Sequence, residues 1–457
     1  MWASDMLAKA CAATVTGPNA AFSSVSIDTR TVMPGALFVA LRGENFDGHR
    51  FVEQAVAAGA LGVVVSQPVV LPSHVTIINV TDTLIALQQM GHAARMAFDG
   101  PVVAVTGSNG KTTTKQLIAS VCRAHYGSEA VLATEGNLNN HIGVPLTLLR
   151  LRPTHQIAVI EMGMNHFGEI ALLSGLVEPT IAVITNAGPA HLEGVGSIEG
   201  VAAAKGEIFQ GLRANGVAVL NADDPFQAYW QVQSRAYRRV TFGLRTTADI
   251  AGSYDAVRTS LKVTFSPSAS SVTIKLPFAG EHNAQNALAA AAVGRALGIA
   301  DVEIASGLET ASNIGGRLAR ITLSDGTKLI DDSYNANPAS VRAAAQVLLA
   351  EPGAKILVIG DMAEIGASSD AMHQALLNDL ATLPIAAVFT LGDRMQRAAA
   401  AMAISPDRVT TFTELDALVS SLKPRLSPNT TLLIKGSRSM AMERVIKKLE
   451  PTYKGAH

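Results

Sequence analysis

The stretch "AVTGSNGKTTTK" at residues 104–115 constrains the fold more than any other part of the chain. It joins "VVAVT" (102–106), a continuous apolar run, to "KTTTKQLIASVCRAH" (111–125), where Leu117, Ile118, Val121 and Cys122 share one helical face. A strand apolar on both faces belongs inside a parallel sheet covered by helices. A glycine turn between such a strand and a helix presents backbone N–H groups and a helix N-terminus to an anion. The usual phosphate-binding loop reads G-x-x-x-x-G-K-[ST]. Gly110, Lys111 and Thr112 supply its end, but Val105 stands where the first glycine belongs, and Gly107 comes two residues later. The candidate phosphate ligands are Gly107, Ser108, Asn109, Gly110, Lys111, Thr112 and Thr113, with Lys111 for the β- and γ-phosphates and Thr112 for Mg²⁺. The missing glycine argues against an ordinary kinase or motor ATPase, not against phosphate binding.

The same alternation recurs. "IAVIEMG" (157–163) and "IAVITN" (181–186) are further buried-strand runs, each followed by a polar turn and a helical stretch. Residues 246–275 read as a β excursion, and 276–298 as an alanine-rich helix. A second unit begins near 313, with strands at 328–332, 355–361, 386–393 and 431–437. Ahead of both, residues 1–84 mix short strands (35–41, 62–66) with a helix at 49–60, and a helix at 82–98 runs to the break signal "DGP". The expected fold is α/β in three domains. A smaller N-terminal α/β domain spans 1–84. A central domain on a P-loop-type parallel sheet spans 85–312, and a C-terminal domain on a Rossmann-like parallel sheet spans 313–457.

Composition narrows the class. The chain has 36 basic and 37 acidic residues, so no global field recruits nucleic acid. No apolar run approaches the ~18 residues that a bilayer span needs. The N-terminus lacks a charged-then-apolar leader pattern. Cys11 and Cys122 are isolated, and Cys122 lies on an apolar helix face, where packing is its expected role. These features point to a cytoplasmic protein without a membrane span.

In parallel sheets ligands sit beyond the carboxyl ends of strands. That rule selects Glu161, which interrupts an apolar strand end, and His191, which follows the next strand. Both are candidates to reach a Mg²⁺ near the phosphates. Lys205 lies in "SIEGVAAAKGEIFQGL" (197–212), in line with Val201, Ile208 and Leu212, so it points inward, with Ser197 as N-cap. A buried lysine favours the neutral amine, which suits a nucleophile, a base or a CO₂ acceptor. Asn286 falls early in the alanine-rich helix, a candidate for an adenine edge. "DDSYNANP" (331–338) crowds Asp332, Tyr334, Asn335 and Asn337 into one turn, able to hold a ribose hydroxyl or an amine, and Asn337-Pro338 also makes a good helix start. Arg317 in "GGRL" is placed to reach phosphate. Lys435, Ser437 and Arg438 in "KGSRS" end the last strand, and an arginine there suits a carboxylate.

In this order the stretches resemble the ATP-dependent Mur ligases of peptidoglycan synthesis over nearly the whole chain. "TGSNGKTTTK" is similar to that family's loop, which lacks the first glycine and is shared with folylpolyglutamate synthetases. "NLNNHIGVPLTLL" (137–149), "DDSYNANP", "GDMAEIG" (360–366) and "KGSRS" resemble the branch that adds D-Ala-D-Ala, and the "DNPR" motif of the diaminopimelate-adding branch is absent. The resemblance implies ATP and two Mg²⁺ as cofactors, with Thr112 on the first metal. Glu161, His191 and Lys205 would serve the second, Lys205 as a carbamate. It also implies adenine at Asn286, ribose at Asp332 and phosphates at Arg317. Lys111, Lys205, His191 and Arg317 would be the catalytic set. "SIDTRTVMPGALFVAL" (26–41) resembles the family's UDP-binding stretch, which makes Ser26, Asp28, Thr29 and Arg30 candidates. Asn137, Asn139 and Asn140 would line the muramyl-peptide cleft. Tyr334, Asn335, Asn337, Lys435, Ser437 and Arg438 would face D-Ala-D-Ala. The implied substrates are UDP-MurNAc-tripeptide and D-Ala-D-Ala, joined through an acyl phosphate by a monomer whose C-terminal domain swings on residues 313–316. Two rivals remain at this stage: a folylpolyglutamate-type ligase on the same scaffold, and a P-loop NTPase that drives a partner.

Overall fold

The computed structural model describes residues 2–44, 46–311, 316–402 and 408–453, so three of the four expected hinge residues, 313–315, lie outside the described residues. Three large sheets carry the fold. The central one has nine strands. Val102–Thr106 lies between Ile157–Glu161 and Ile181–Ile184, parallel to both. Val131–Ala133 closes one edge beyond Ile157–Glu161. Val217–Asn221 and Arg238–Gly243 extend the parallel sheet on the other side. The expected β excursion is Ile250–Asp255, Ser260–Phe265 and Ser270–Lys275, an antiparallel meander that continues the same sheet.

The order of these strands creates the cleft. From Val102–Thr106 the chain moves to one side of the sheet for Val131–Ala133 and Ile157–Glu161, then crosses to the other for Ile181–Ile184. Successive connections therefore leave the carboxyl end of Val102–Thr106 on opposite sides and open a crevice there, the ordinary ligand position of an open parallel sheet. The helix Lys111–Tyr126 starts in that crevice. Its Leu117, Ile118, Val121 and Cys122 are fully buried against the sheet and the Glu281–Ala296 helix, as the sequence pattern required. Burial of each such aliphatic side chain contributes about 1.5–3 kcal/mol. Burial also pushes the Cys122 thiol up to about 12, so it packs as a small hydrophobe.

The six-stranded C-terminal sheet is parallel except for Ala319–Thr322, and its strands 328–332, 354–360, 387–391 and 430–435 match the expected runs to within two residues. The five-stranded N-terminal sheet is parallel apart from Thr14–Thr16. The helix Thr83–Met96 is capped by Asp82, whose carboxylate accepts from Leu84 N and Ile85 N. Its Leu87 and Met90 pack with the N-terminal sheet and with Leu149 of the central region. Arg95 on the same helix is fully buried and donates to the carbonyls of Val177, Phe98 and Glu178. One helix thus serves both cores. No helix among the described residues is long and apolar enough to cross a membrane.

Candidate active site

The loop explains its own missing glycine. Val105 is still inside the strand, paired with Glu161 and Val183, with its side chain in the core. The turn begins later, at Gly107, with φ +154°, where a Cβ would lie 1.8 Å from Thr185 Oγ1. Gly110 has φ +78°, and a Cβ there would lie 2.3 Å from Asn286 Oδ1. Both positions therefore need glycine. The loop is held by the strand end beside it. Ser108 N donates to Asn186 O, Asn109 N donates to Asn186 Oδ1, and Thr185 Oγ1 donates to Asn109 O. The amides of Lys111, Thr112 and Thr113 precede the first intrahelical bond and are open to an anion. Lys111 Nζ lies back on its own loop, 2.7 Å from Gly107 O.

Around this loop the structure gathers ionisable groups from one strand end, one loop and two helices. Glu161 is buried, and its Oε1 accepts from Asn139 Nδ2 at 2.8 Å. Its Oε2 has no hydrogen-bond donor among the described residues, and Lys115 Nζ stands 4.0 Å away. A buried carboxylate oxygen left without a donor is costly unless a cation completes it. Lys205 is 1% exposed, and its ammonium finds no hydrogen-bond acceptor among the described residues. Burial holds its pKa well below the ordinary lysine value, and the Lys111 charge adds to this. The helix that carries it runs Ile198–Gly206 and passes into a 3₁₀ turn at Glu207–Gly211, shorter than the sequence pattern suggested. Ser197 caps it as expected, and Trp230 Nε1 braces it by donating to Ala202 O. Burial lowers the His191 pKa, the Glu364 carboxylate 2.9 Å from Nδ1 opposes this, and the Lys111 and Lys205 charges lower it further. Among the described residues no three His, Cys, Asp or Glu side chains converge as a metal cage. Any divalent ion here needs Thr112, a modified Lys205 or ligand oxygens besides Glu161 and His191.

The C-terminal domain lies against this crevice. Arg317 Nη2 donates to Thr112 Oγ1 at 2.9 Å, and its guanidinium stacks on Tyr334, 4.4 Å from the ring centre. Asn337 caps the helix Pro338–Ala350 in a capping box with Ser340, while its Nδ2 donates to Asn109 Oδ1 at 2.7 Å. Its role as a helix cap and its place at the cleft therefore coexist. Lys435 Nζ bonds Asp332 Oδ2 at 2.5 Å and Asn335 O at 2.9 Å. Arg438 bonds Glu443 Oε1 and also faces the Tyr334 ring. Ser437 Oγ donates to Asp361 O.

Other candidates are used locally. Asn286 is buried against Gly110, with Thr114 Oγ1 donating to its Oδ1. Asn140 Oδ1 accepts from Ile142 N and Gly143 N, which starts the helix Gly143–Leu148, and Asn137 Oδ1 accepts from Asn139 Nδ2. In the N-terminal domain Asp28 caps the turn Thr29–Thr31 and pairs with the exposed Arg30, and Ser26 Oγ lies 2.9 Å from Thr31 Oγ1. Sequence reasoning missed Lys115, although Ile118 and Cys122 at i+3 and i+7 marked its face as buried. It quoted the motif "GDMAEIG" without assigning Glu364 a role, and it missed Thr134, a loop residue whose Oγ1 accepts from Glu161 N and whose carbonyl accepts from Lys115 Nζ.

Comparison with known proteins agrees along the chain. Residues 21–97 match the model described as Mur ligase family, catalytic domain. Residues 105–294 match the Mur ligase middle domain, and 316–438 the Mur ligase, glutamate ligase domain. The UDP-N-acetylmuramoyl-tripeptide–D-alanyl-D-alanine ligase of Escherichia coli K12 is 41% identical over 438 residues, which cover 95% of each chain. Its counterpart from Haemophilus influenzae is 40% identical, again covering 95% of each chain. A crystal structure of MurF from Acinetobacter baumannii superposes with a TM-score of 0.89 at 37% identity over 98% of both chains. MurF from Thermotoga maritima, in complex with ADP, superposes at 0.78 with 27% identity over 94% of this chain and 97% of that one. A three-domain architecture shared this completely, on a loop whose missing glycine the strand register accounts for, makes the chain a member of the Mur ligase family.

Proposed function

We propose that the chain is a cytoplasmic ATP-dependent peptide ligase that joins D-Ala-D-Ala to UDP-MurNAc-tripeptide, releasing ADP and phosphate, and that it works as a monomer. The observation that carries this reading is the contact of Arg317 with Thr112, which sets the C-terminal domain and its Tyr334–Asn337 turn directly over the phosphate loop. The full-length likeness to ligases named for these two substrates supports the substrate pair.

The tripeptide carboxylate attacks the γ-phosphorus of ATP, the bond to ADP breaks, and an acyl phosphate forms. The D-Ala-D-Ala amine then attacks the acyl carbon, phosphate leaves with its bonding pair, and the amine loses a proton. The first step brings two anions together. Lys111, the open amides of 111–113 and Arg317 screen that repulsion. Mg²⁺, when bound, neutralises phosphate charge. The residues fit it: Thr112 is offered in the loop, Glu161 has a buried oxygen without a donor, and His191 is held neutral by burial. The low pKa of Lys205 leaves the free amine that adds CO₂ to give a carbamate and a proton, which would supply the further anionic ligand the site lacks. Asn286 and Asp332 serve the adenine and ribose, Ser26, Asp28, Thr29 and Arg30 the uridine diphosphate, Asn137, Asn139 and Asn140 the muramyl peptide, and Tyr334, Asn335, Asn337, Lys435, Ser437 and Arg438 the D-Ala-D-Ala. Acyl phosphates hydrolyse, so the domain contact over the loop also excludes water.

The test is phosphate release from Mg·ATP with each substrate alone and with both. Release that requires both, with a product of the summed mass less water, is expected. Release stimulated by glutamate and folate, or by a protein or nucleic acid, would overturn the assignment.

A further inference from the structure

The loop beyond the strand Thr430–Lys435 carries an ion pair whose two members are unequally buried. Arg438 opens the 3₁₀ turn Arg438–Met440, and Glu443 opens the helix Glu443–Leu449. Between them Ala441 sits in the left-handed region at φ +47°. A non-glycine residue is strained there and persists only where its surroundings fix it. The surroundings do so here. Met442, Val445 and Ile446 are buried in the C-terminal core, and ahead of the turn Ser437 Oγ donates to Asp361 O. The turn brings Glu443 back to Arg438, whose Nη1 donates to Glu443 Oε1 at 3.0 Å. Glu443 is buried, and its Oε2 finds no hydrogen-bond partner among the described residues, while the Arg438 side chain is half exposed. A pair built for stability alone gains little from burying a carboxylate oxygen without a donor. Arg438 also borders the crevice. Its guanidinium carbon lies 5.8 Å from the centre of the Tyr334 ring, and that of Arg317 lies 4.4 Å from the same centre. Arg317 in turn touches Thr112 of the phosphate loop. The two guanidiniums are no farther apart than those two distances together, and an extended dipeptide, about 7 Å long, fits within that limit.

We propose that Glu443 is a positioning residue that holds the Arg438 guanidinium against the Tyr334 ring, aimed at the carboxylate of the incoming dipeptide, and so makes the site select an amine substrate with a free carboxyl group. With Nη1 donating to Glu443, the Nε–Nη2 edge of the guanidinium is the fork that takes a carboxylate. The Tyr334 ring orients that fork, and Arg317 on the same ring marks the phosphate end of the cleft. The amine of the dipeptide is then directed toward the phosphate loop while its carboxylate is held at Arg438. Without Glu443 the arginine keeps its charge but loses its aim, and ordering the long side chain at each binding event costs affinity. The inference rests on the ligase reading above for the identity of the amine substrate, and adds to it a residue outside the binding set that governs selection for the carboxyl group.

The test uses the full chain with saturating Mg·ATP and UDP-MurNAc-tripeptide, and compares D-Ala-D-Ala with D-alanyl-D-alaninamide, which lacks the carboxylate. The wild type is expected to favour the free acid in kcat/KM by about 10–100-fold, the usual contribution of hydrogen bonds to a charged group. Glu443→Ala should raise the KM for D-Ala-D-Ala by most of that factor. It should leave the KM for ATP and for the tripeptide unchanged and the amide reaction where it was, so that the preference collapses. Glu443→Gln, whose amide oxygen still accepts from Arg438, should keep most of the preference. Arg438→Ala should lose it as Glu443→Ala does, and the double variant should lose no more. Glu443→Leu, which refills the buried space, takes the place of the alanine variant if truncation costs the fold. A Glu443→Ala enzyme that favours the free acid as the wild type does, a loss as large with the amide, or an equal loss in Glu443→Gln would overturn the proposal. A wild type that makes no product from either dipeptide would remove the ligase reading, and the proposal with it, whereas the variants remove the proposal alone.

Discussion

Lys205 shows how one position acquires chemistry. Its helix and the 3₁₀ turn that follows bury Val201 and Ile208 beside it, so the side chain points inward. Burial and the Lys111 charge both favour the neutral amine. A structural lysine would find a carboxylate or a carbonyl there, and among the described residues this one finds neither. The expected outcome follows. Lys205→Ala should lose activity about 100-fold or more, beyond what even outer partners of metal ligands usually contribute. Lys205→Arg should not recover it, because a guanidinium forms no carbamate. Formate or acetate should partly restore the alanine variant by lending a carboxylate. Steady-state rates with and without these acids check this, and full activity in Lys205→Ala would rule the carbamate out. The lysine's direction was legible from its spacing. Its lack of an acceptor was not, because that depends on which side chains the packing of distant segments brings near it. The same holds for Asn140, which accepts from Ile142 N and Gly143 N ahead of the helix Gly143–Leu148 but looks in sequence like any asparagine in a polar stretch.

The helix Glu281–Ala296 illustrates a second limit. Its alanine face was plain, and the structure buries Ala287 through Val293 beneath the sheet. Its first turn is where sequence reading stops. His282 sits there, and burial together with the facing Lys435 charge pushes its pKa from 6.5 to about 4. The positive end of the helix dipole opposes its protonation further. Between those two values the unfolded chain takes up a proton that the folded chain resists. Stability is therefore full above pH 6.5 and falls as the pH drops toward 4, by roughly 1–3 kcal/mol from this group. Urea unfolding at pH 7 and pH 5 should show that loss, and His282→Gln should reduce it. Among the strands, the long apolar runs were readable because burial on both faces leaves no polar alternation. Arg238–Gly243 and Val409–Phe412 were not, since each is a sheet member with exposed positions and ordinary composition.

The assembled chain places the phosphate loop, the Glu161 carboxylate and the Arg317–Tyr334 stack in one crevice. The order of strands creates that crevice, and the C-terminal domain covers it through Asn337 on Asn109, Arg317 on Thr112 and Glu364 on His191. Sequence spacing located the groups at strand ends but could not say which domain faces would meet, because that is set by packing between units far apart in the chain. The meeting is what permits the central claim, that a substrate carboxylate takes the γ-phosphoryl group inside a closed cleft. The direct measurement is isotope transfer. UDP-MurNAc-tripeptide with ¹⁸O in its terminal carboxylate is turned over with ATP and D-Ala-D-Ala, and the released phosphate is weighed by mass spectrometry. Formation of an acyl phosphate predicts one ¹⁸O in each phosphate. Product formed with unlabelled phosphate, or with the label in AMP, would contradict it.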